Sequence, residues 1–228
     1  MNKVYAVADL HGQYNLWRQV IDYLDDTDTL YILGDCGDRD IDGWKIIKEA
    51  LVDPRVKYIR GNHDQMLLDA WYDNWDDKFL WLYNGGYDTF NSIIADDKAN
   101  IYLNGLSKTG IYCLYNNTQG QKIHLSHAGF TPSKYANKFP DNEDLIWDRT
   151  HFRDRWPKDK DNEYIIHGHT WCGSKYFLGI DKEINDTITV SRYADGHKIC
   201  IDGRSFLYGR VALLDLDTLE EIVFTESE

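Results

Sequence analysis

Cysteine, proline and methionine are scarce in this sequence, at 4, 4 and 2 of 228 residues. The cysteines Cys36, Cys113, Cys172 and Cys200 show no Cys-x-x-Cys spacing and are too sparse for a disulfide framework, so they read as reduced thiols. No apolar run approaches the roughly 20 residues of a membrane span. The opening Met1-Asn2-Lys3 passes directly into Val4–Val7, without the basic start and long apolar stretch of a signal peptide. The expectation is a soluble cytoplasmic protein with no membrane partner. Positive charge is also in short supply: 25 Lys plus Arg face 38 Asp plus Glu, a formal charge of -13. Such a field repels nucleic acids and anionic membranes, so neither is an expected partner. It repels phosphate esters too, and a site for them would need local positive charge from metal ions or clustered Arg. Repeats, low-complexity tracts and Pro/Gly/Ser linkers are absent, which favours one domain over 1–228.

What is present is a series of short apolar runs ending abruptly in polar or glycine-containing turns: Val4–Ala8, Thr29–Leu33, Val56–Ile59, Ile123–Leu125 and Tyr164–Ile166. These read as buried strands. Between the first two, Leu16, Val20, Ile21 and Leu24 recur at helical spacing over Tyr14–Leu24, and Trp44–Leu51 does the same before the third. Strand, helix, strand, helix, strand implies an α/β class with parallel pairing, and in such sheets ligands bind beyond the carboxyl ends of the strands. Residues 64–110 read as a helical, aromatic-rich layer or cap carrying Met66, Leu67, Trp71, Trp75, Leu80, Trp81 and Tyr87. From about Lys198 only strands and turns are expected, at Ile199–Ile201, Val211–Leu216 and Glu221–Phe224, forming a second, largely antiparallel sheet. Asp181–Asp195 reads as a long polar excursion.

The strand ends carry the chemistry. They read Asp9-Leu10-His11-Gly12, then Gly34-Asp35-Cys36-Gly37-Asp38-Arg39, then Gly61-Asn62-His63-Asp64, followed by Ser126-His127-Ala128-Gly129 and His167-Gly168-His169-Thr170. Carboxylate, amide oxygen and imidazole together suit borderline-hard divalent ions such as Mn²⁺, Fe²⁺ and Zn²⁺. Glycine beside them allows the backbone to turn sharply and approach an ion or a phosphate. Any one of these pieces alone is as often a turn or a helix cap. Their succession on predicted strand ends is the informative feature.

In this order the segments resemble the PPP serine/threonine protein phosphatases, within the calcineurin-like metallophosphoesterase superfamily, and are most similar to the short bacterial and bacteriophage members. The resemblance spans roughly residues 4–216. It implies a metallophosphoesterase fold, two packed mixed β-sheets flanked by helices. It also implies two divalent ions, Mn²⁺ first with Fe or Zn as alternatives: one held by Asp9, His11 and Asp35, the other by Asp35, Asn62, His127 and His169, with Asp35 bridging. By strand alternation His167 and His169 share a face; the family places its ligand after the glycine, at His169. Departures from the family pattern are Ala8 and Asp40 in place of glycines and Asp64 in place of Glu. Asp40 brings extra negative charge near the expected phosphate site. His124, His151, His167 and His197 are expected to be structural or supporting residues.

The activity so implied is hydrolysis of phosphoserine and phosphothreonine in proteins by direct attack of a metal-bridging hydroxide. His63 would protonate the leaving alkoxide, oriented by Asp38. Arg39, and Arg149 through the segment Trp147-Asp148-Arg149, would grip the phosphate with guanidinium groups. Cys36 is expected to be a bystander. The same motifs also fit a diadenosine polyphosphate hydrolase, and, with least support, a non-catalytic metal-binding interaction protein.

Overall fold

The computed structural model describes residues 2–72, 75–131, 140–174 and 187–226. The first strands, β1 (Val4–Val7), β2 (Thr29–Leu33) and β3 (Val56–Ile59), alternate with α1 (Tyr14–Tyr23) and α2 (Gly43–Val52). β1 pairs β2 and β2 pairs β3 in parallel, as two right-sized helical crossovers require. α1 buries Leu16, Trp17, Val20 and Ile21, and α2 buries Trp44, Ile46, Ile47 and Ala50, so each helix lays an apolar stripe on the outer face of this sheet.

Further along come α3 (Asn62–Tyr72), α4 (Trp75–Trp81), a wide helical turn at Leu82–Gly86, α5 (Tyr87–Ile94) and α6 (Ala99–Ser107). The predicted helical layer is therefore present, but it is broken at Gly85, whose φ of 102° lies in the left-handed region that glycine tolerates. Trp81 is the buried anchor of this layer, whereas Leu80 and Tyr87 are exposed. The side chain of Trp75 lies outside the described residues.

β4 (Tyr112–Asn116), β5 (Lys122–Ser126), β6 (Glu163–His167), β7 (Ser191–Tyr193) and β8 (Lys198–Cys200) form the second sheet, in the order β4-β5-β6-β8-β7. β5-β6 and β6-β8 are parallel, and β4-β5 and β7-β8 antiparallel. β9 (Arg210–Asp215) and β10 (Glu221–Thr225) instead extend the first sheet, in the order β10-β9-β1-β2-β3. This corrects the expectation that the C-terminal strands make a separate antiparallel sheet. β9 reads as a run of fully buried residues, Val211 to Leu214, because one face packs on α1 and the other on the opposite sheet, a location that suits a strand next to central β1. A short helix, α8 (Ser205–Tyr208), also interrupts the region expected to hold strands and turns only. Of the predicted excursion 181–195, residues 181–186 lie outside the described residues, and the remainder holds β7.

The sheets face each other through Ala6, Ala8, Tyr31, Leu33 and Ile59 on one side and Ile123, Leu125, Ile166 and Ile199 on the other. Alanine at positions 6 and 8 lets the layers approach closely. A smaller cluster, Phe130, Leu145, Ile146, Trp156 and Ile165, covers the outer face of the second sheet with α7 (Asn142–Trp147). The result is two mixed sheets flanked by helices. No helix among the described residues is long and apolar enough to cross a membrane.

Candidate active site

The carboxyl ends of β1, β2 and β3 from one sheet and of β5, β6 and β8 from the other converge on one edge of the sandwich. Backbone geometry there is unusual: Asp9, His11, Asp35, Asp38, Arg39, His169 and Arg204 all have φ between 42° and 67°. Left-handed conformations cost non-glycine residues energy and persist where the surroundings over-determine them, so their clustering makes this edge the candidate site. Hydrogen bonds fix these turns. His11 N–H donates to the Asp35 carbonyl at 3.0 Å, His169 N–H to Asp9 Oδ2 at 3.0 Å, and His63 N–H to Asp35 Oδ1 at 3.0 Å.

The side chains expected to hold metal are brought together and buried. Imidazole nitrogens of His127 and His169 both lie 2.8 Å from Asn62 Oδ1 and 3.2 Å from each other. His127 Nε2 is 3.2 Å from Asp35 Oδ2, and its other nitrogen is fixed 2.7 Å from the Leu33 carbonyl across the sandwich. His11 Nε2 is 4.0 Å from both Asp9 Oδ1 and Asp35 Oδ2, with Nδ1 anchored 3.0 Å from the Gly37 carbonyl. Two compact donor clusters result, Asp9–Asp35–His127 and His11–Asp35–His63, with Asp35 common to both. The second contains His63 where the resemblance places Asp9.

The electrostatics are those of a cation site. Burial, with Asp202 and Asp35 nearby, pushes the Asp9 carboxyl well above the ordinary carboxylate range. Burial acts the same way on Asp35, but the charges of His127 and His63 outweigh it and hold that carboxyl well below the range. Burial lowers His127, yet Asp35 and Asp9 carry it up to about 10. A divalent ion offsets the repulsion among these carboxylates more effectively than one imidazolium. His169 turns Nδ1, 2.8 Å from Asn62 Oδ1 and 3.2 Å from His127 Nε2, toward the donor cluster, the nitrogen placed to coordinate there; its Nε2 is buried with no hydrogen-bond partner among the described residues. Gly61 and Gly168 cross so close to Asp35 and Asp9 that an added Cβ would collide with their carboxylate oxygens. The residues present fit divalent metal.

His63 and Asp38 meet as expected. His63 Nδ1 is 2.7 Å from Asp38 Oδ2, and His63 Nε2 is 3.1 Å from Arg39 Nη2. What the sequence did not reveal is how Asp38 is held. Trp81 Nε1–H donates to both of its oxygens, at 3.0 and 2.8 Å, and Asp38 N–H donates to Thr89 Oγ1 at 2.8 Å. The aromatic helical layer is therefore also the mount for the His63–Asp38 pair. The turn at Gly85 serves Arg39, whose N–H donates to the Gly85 carbonyl at 2.9 Å.

A cavity of about 250 Å³ opens over these groups, lined by Asp9, His11, Asp35, Asn62, His63 and His169 on its floor and by Arg39 and Arg149 on its walls. Arg149 is exposed; Trp147, two residues before it, packs edge-on against His169 with ring centres 6.1 Å apart. Asp202, Arg204 and Phe206 line the cavity too and were not anticipated. The signal was available, since Asp202-Gly203 follows the predicted strand Ile199–Ile201 as Asp35 follows β2. Asp202 is pushed up to about 6 by burial.

Departures from the family motifs have structural explanations. Asp64 accepts from Gly61 N–H at 2.9 Å, Asp35 N–H at 3.0 Å and the Tyr58 hydroxyl at 2.9 Å, pinning two metal-site loops. Asp40 turns away from the cavity to accept from Gln13 Nε2 at 2.9 Å and from Ile41 N–H at 2.6 Å. Of the other histidines, His167 is buried beside the Tyr193 hydroxyl at 2.6 Å, His151 is buried, His124 sits 3.1 Å from Glu163, and His197 stacks on Trp156. Cys36 is buried, and burial pushes its thiol well up, which disfavours the thiolate a nucleophile needs.

Comparison with known proteins agrees with this geometry. Serine/threonine-protein phosphatase 1 of Salmonella typhimurium is 27% identical over 172 residues, covering 73% of this chain and 78% of that protein. Among solved structures, a candidate diadenosine tetraphosphatase superposes with a TM-score of 0.65 at 14% identity, covering 100% of this chain and 95% of the other. A Saccharomyces cerevisiae protein serine/threonine phosphatase gives 0.58 at 15%, covering 100% and 81%. The cold-active protein-tyrosine phosphatase of a Shewanella species gives 0.59 at 17%, covering 99% and 78%. At these identities the structural likenesses speak for the fold. The sequence model of the calcineurin-like phosphoesterases matches residues 2–216, and the chain belongs to that family.

Proposed function

We propose that the chain is a metal-dependent phosphomonoesterase acting on phosphoserine and phosphothreonine in proteins. The observation that carries this reading is the His63–Asp38–Arg39 arrangement. His63 Nε2 faces the cavity beside the Arg39 guanidinium, while its Nδ1 is locked to a carboxylate that Trp81 holds from behind. An alkoxide is a poor leaving group and needs a proton as the P–O bond breaks; an aryl oxide or a nucleotide phosphate needs it far less. A mounted acid next to a phosphate-gripping cation is therefore what a serine or threonine ester requires. The curated relative from Salmonella typhimurium carries a serine/threonine phosphatase name, which supports the same choice.

In this reading Asp9, His11, Asp35, Asn62, His127 and His169 hold two divalent ions, with Mn²⁺ the first candidate and Fe or Zn the alternatives. When bound, such ions supply Lewis acidity and neutralise charge on the phosphoryl oxygens. Arg39 and Arg149 grip those oxygens from the walls of the cavity, each guanidinium offering paired donors. His63 donates the proton at Nε2, and Asp38 fixes its ring. The protein works in the cytoplasm, as a single domain.

The test is kcat/KM on a phosphothreonine peptide and on diadenosine tetraphosphate, using enzyme stripped by chelator and reloaded with Mn²⁺. Preference for the peptide is expected. Preference for the dinucleotide would transfer the same site to nucleotide turnover, the reading that the fold likeness to a candidate diadenosine tetraphosphatase raises. Inactivity on both would return the chain to a metal-binding, non-catalytic role.

A further inference from the structure

The cavity holds a third guanidinium that the phosphoesterase reading does not use. Arg204 has φ 56° and ψ 54°, its backbone N–H donating to Asp202 Oδ1 at 2.8 Å. Its guanidinium lies 4.8 Å from the Trp171 ring centre and 5.7 Å from that of Phe206. Phe206 also carries the Arg39 guanidinium, at 4.7 Å, so two like charges share one aromatic ring. Neither guanidinium has a carboxylate partner at ion-pair distance among the described residues, in a chain where Asp and Glu outnumber Lys and Arg by 38 to 25.

An aromatic face desolvates one side of a guanidinium and leaves its in-plane N–H donors free at the edge. Like charges so placed repel, and an anion between them relieves the repulsion. Thr170, Trp171 and Ser174 also line the cavity, and their Oγ1, Nε1 and Oγ atoms are buried with no hydrogen-bond partner among the described residues. Thr170 is 5% exposed, so its hydroxyl is an unpaired polar group in a nearly dry position. Buried polar atoms without partners are rare in folded proteins, and several on residues lining one cavity with a guanidinium point to a ligand there. Asp202 also lines the cavity, and its Oδ1 is engaged by the Arg204 backbone.

We propose that Arg204, set against the Trp171 and Phe206 rings, is a specificity-determining residue that together with Thr170 and Ser174 forms a second anion subsite beside the scissile phosphoryl group. The preferred substrate then carries a second anion next to the ester being cleaved. Two sources share that chemistry: an acidic side chain adjacent to the phosphorylated residue, or a second phosphoryl group on a small molecule. The inference rests on the phosphoesterase reading of the same cavity.

The experiment compares wild type, Arg204→Met and Arg204→Lys, all loaded with Mn²⁺, on three kinds of substrate. p-Nitrophenyl phosphate is the single-anion reference. A phosphothreonine peptide with Asp on both sides, set against the same peptide with Ala there, tests the peptide source; ADP set against phenyl phosphate tests the phosphoryl source. In wild type at least one two-anion substrate is expected to exceed its single-anion counterpart by about ten-fold or more in kcat/KM, mostly through KM. Arg204→Met should erase that ratio, and Arg204→Lys should restore part of it because a point charge remains. The arm that shows the effect identifies the source. Absence of a two-anion preference in wild type, or equal loss on every substrate in Arg204→Met, overturns the proposal. Failure of wild type to hydrolyse even p-nitrophenyl phosphate would instead strike the phosphoesterase reading on which it rests.

Discussion

Lys198 gives the sharpest physical prediction, because it is a fully buried cation and is not one of the proposed metal ligands. Its relative exposure is 0%, and its ammonium is met by Thr131 Oγ1 at 2.6 Å and the His151 carbonyl at 2.9 Å rather than by a carboxylate. Burial lowers its pKa from 10.5 to about 8, with Asp154 and Asp148 acting weakly in the opposite sense. In the unfolded chain the amine keeps its ordinary value. Between those two values the unfolded state binds more protons than the native one, so stability rises with pH across that window. Below it both states are charged and the native state bears the full cost of burying the cation. A tenfold difference in proton affinity between the two states corresponds to about 1.4 kcal/mol, so from roughly pH 7.5 to 9.5 the gain from this one group is about 2 kcal/mol. The assay is urea denaturation of wild type and of Lys198→Met at several pH values in that interval, taken as a difference so that tyrosine titration cancels. Wild type should gain about 2 kcal/mol relative to the variant as the pH rises. A flat difference would mean that Lys198 is solvated or paired and the burial argument is wrong.

Two further outcomes follow from the loops around the metal ligands. Asp64→Ala strips the acceptor from three buried donors, at roughly 1–3 kcal/mol each, and should destabilise the fold by about 3 kcal/mol or more in urea melts, whereas a loss under about 1 kcal/mol would show that the donors find other partners. Gly168→Ala places a methyl group against Asp9 Oδ2 and 2.7 Å from the Ala8 Cβ, so a folded variant should lose most of its bound metal by elemental analysis after gel filtration; retention at the wild-type level would refute such close packing at the metal site.

Much of this architecture was legible in the sequence. β2 and β3 match their runs residue for residue: β2, buried on both faces, is a continuous apolar stretch bounded by polar turns, and edge strand β3 keeps the same boundaries with Lys57 exposed. The motif residues at these strand ends were equally legible, because the spacing from Asp35 to Asp38 and the Asn62-His63 pair are local. What was not legible is non-local. β9 is as apolar as β1, and nothing in its residues says that it pairs with β1 rather than with β8. Trp81 reads as one more aromatic in a helical layer until the fold brings its indole N–H against Asp38, 43 residues earlier in the chain. Arg204 is invisible for a similar reason: its significance comes from the Trp171 and Phe206 rings near it, and from the Arg39 guanidinium sharing a ring.

The central claim is that His63 supplies a proton to a poor leaving group from a ring held by Asp38, while other residues hold the metal. The most direct measurement is kcat for wild type and His63→Asn on a phosphothreonine peptide and on p-nitrophenyl phosphate, with bound metal determined on the same samples. The account predicts a loss of about 10²–10⁴-fold on the peptide, a much smaller loss on the aryl ester, and metal content close to wild type. Equal losses on both substrates accompanied by loss of metal would make His63 a ligand, as its place in the His11–Asp35–His63 cluster allows, and would contradict the assignment of a general acid.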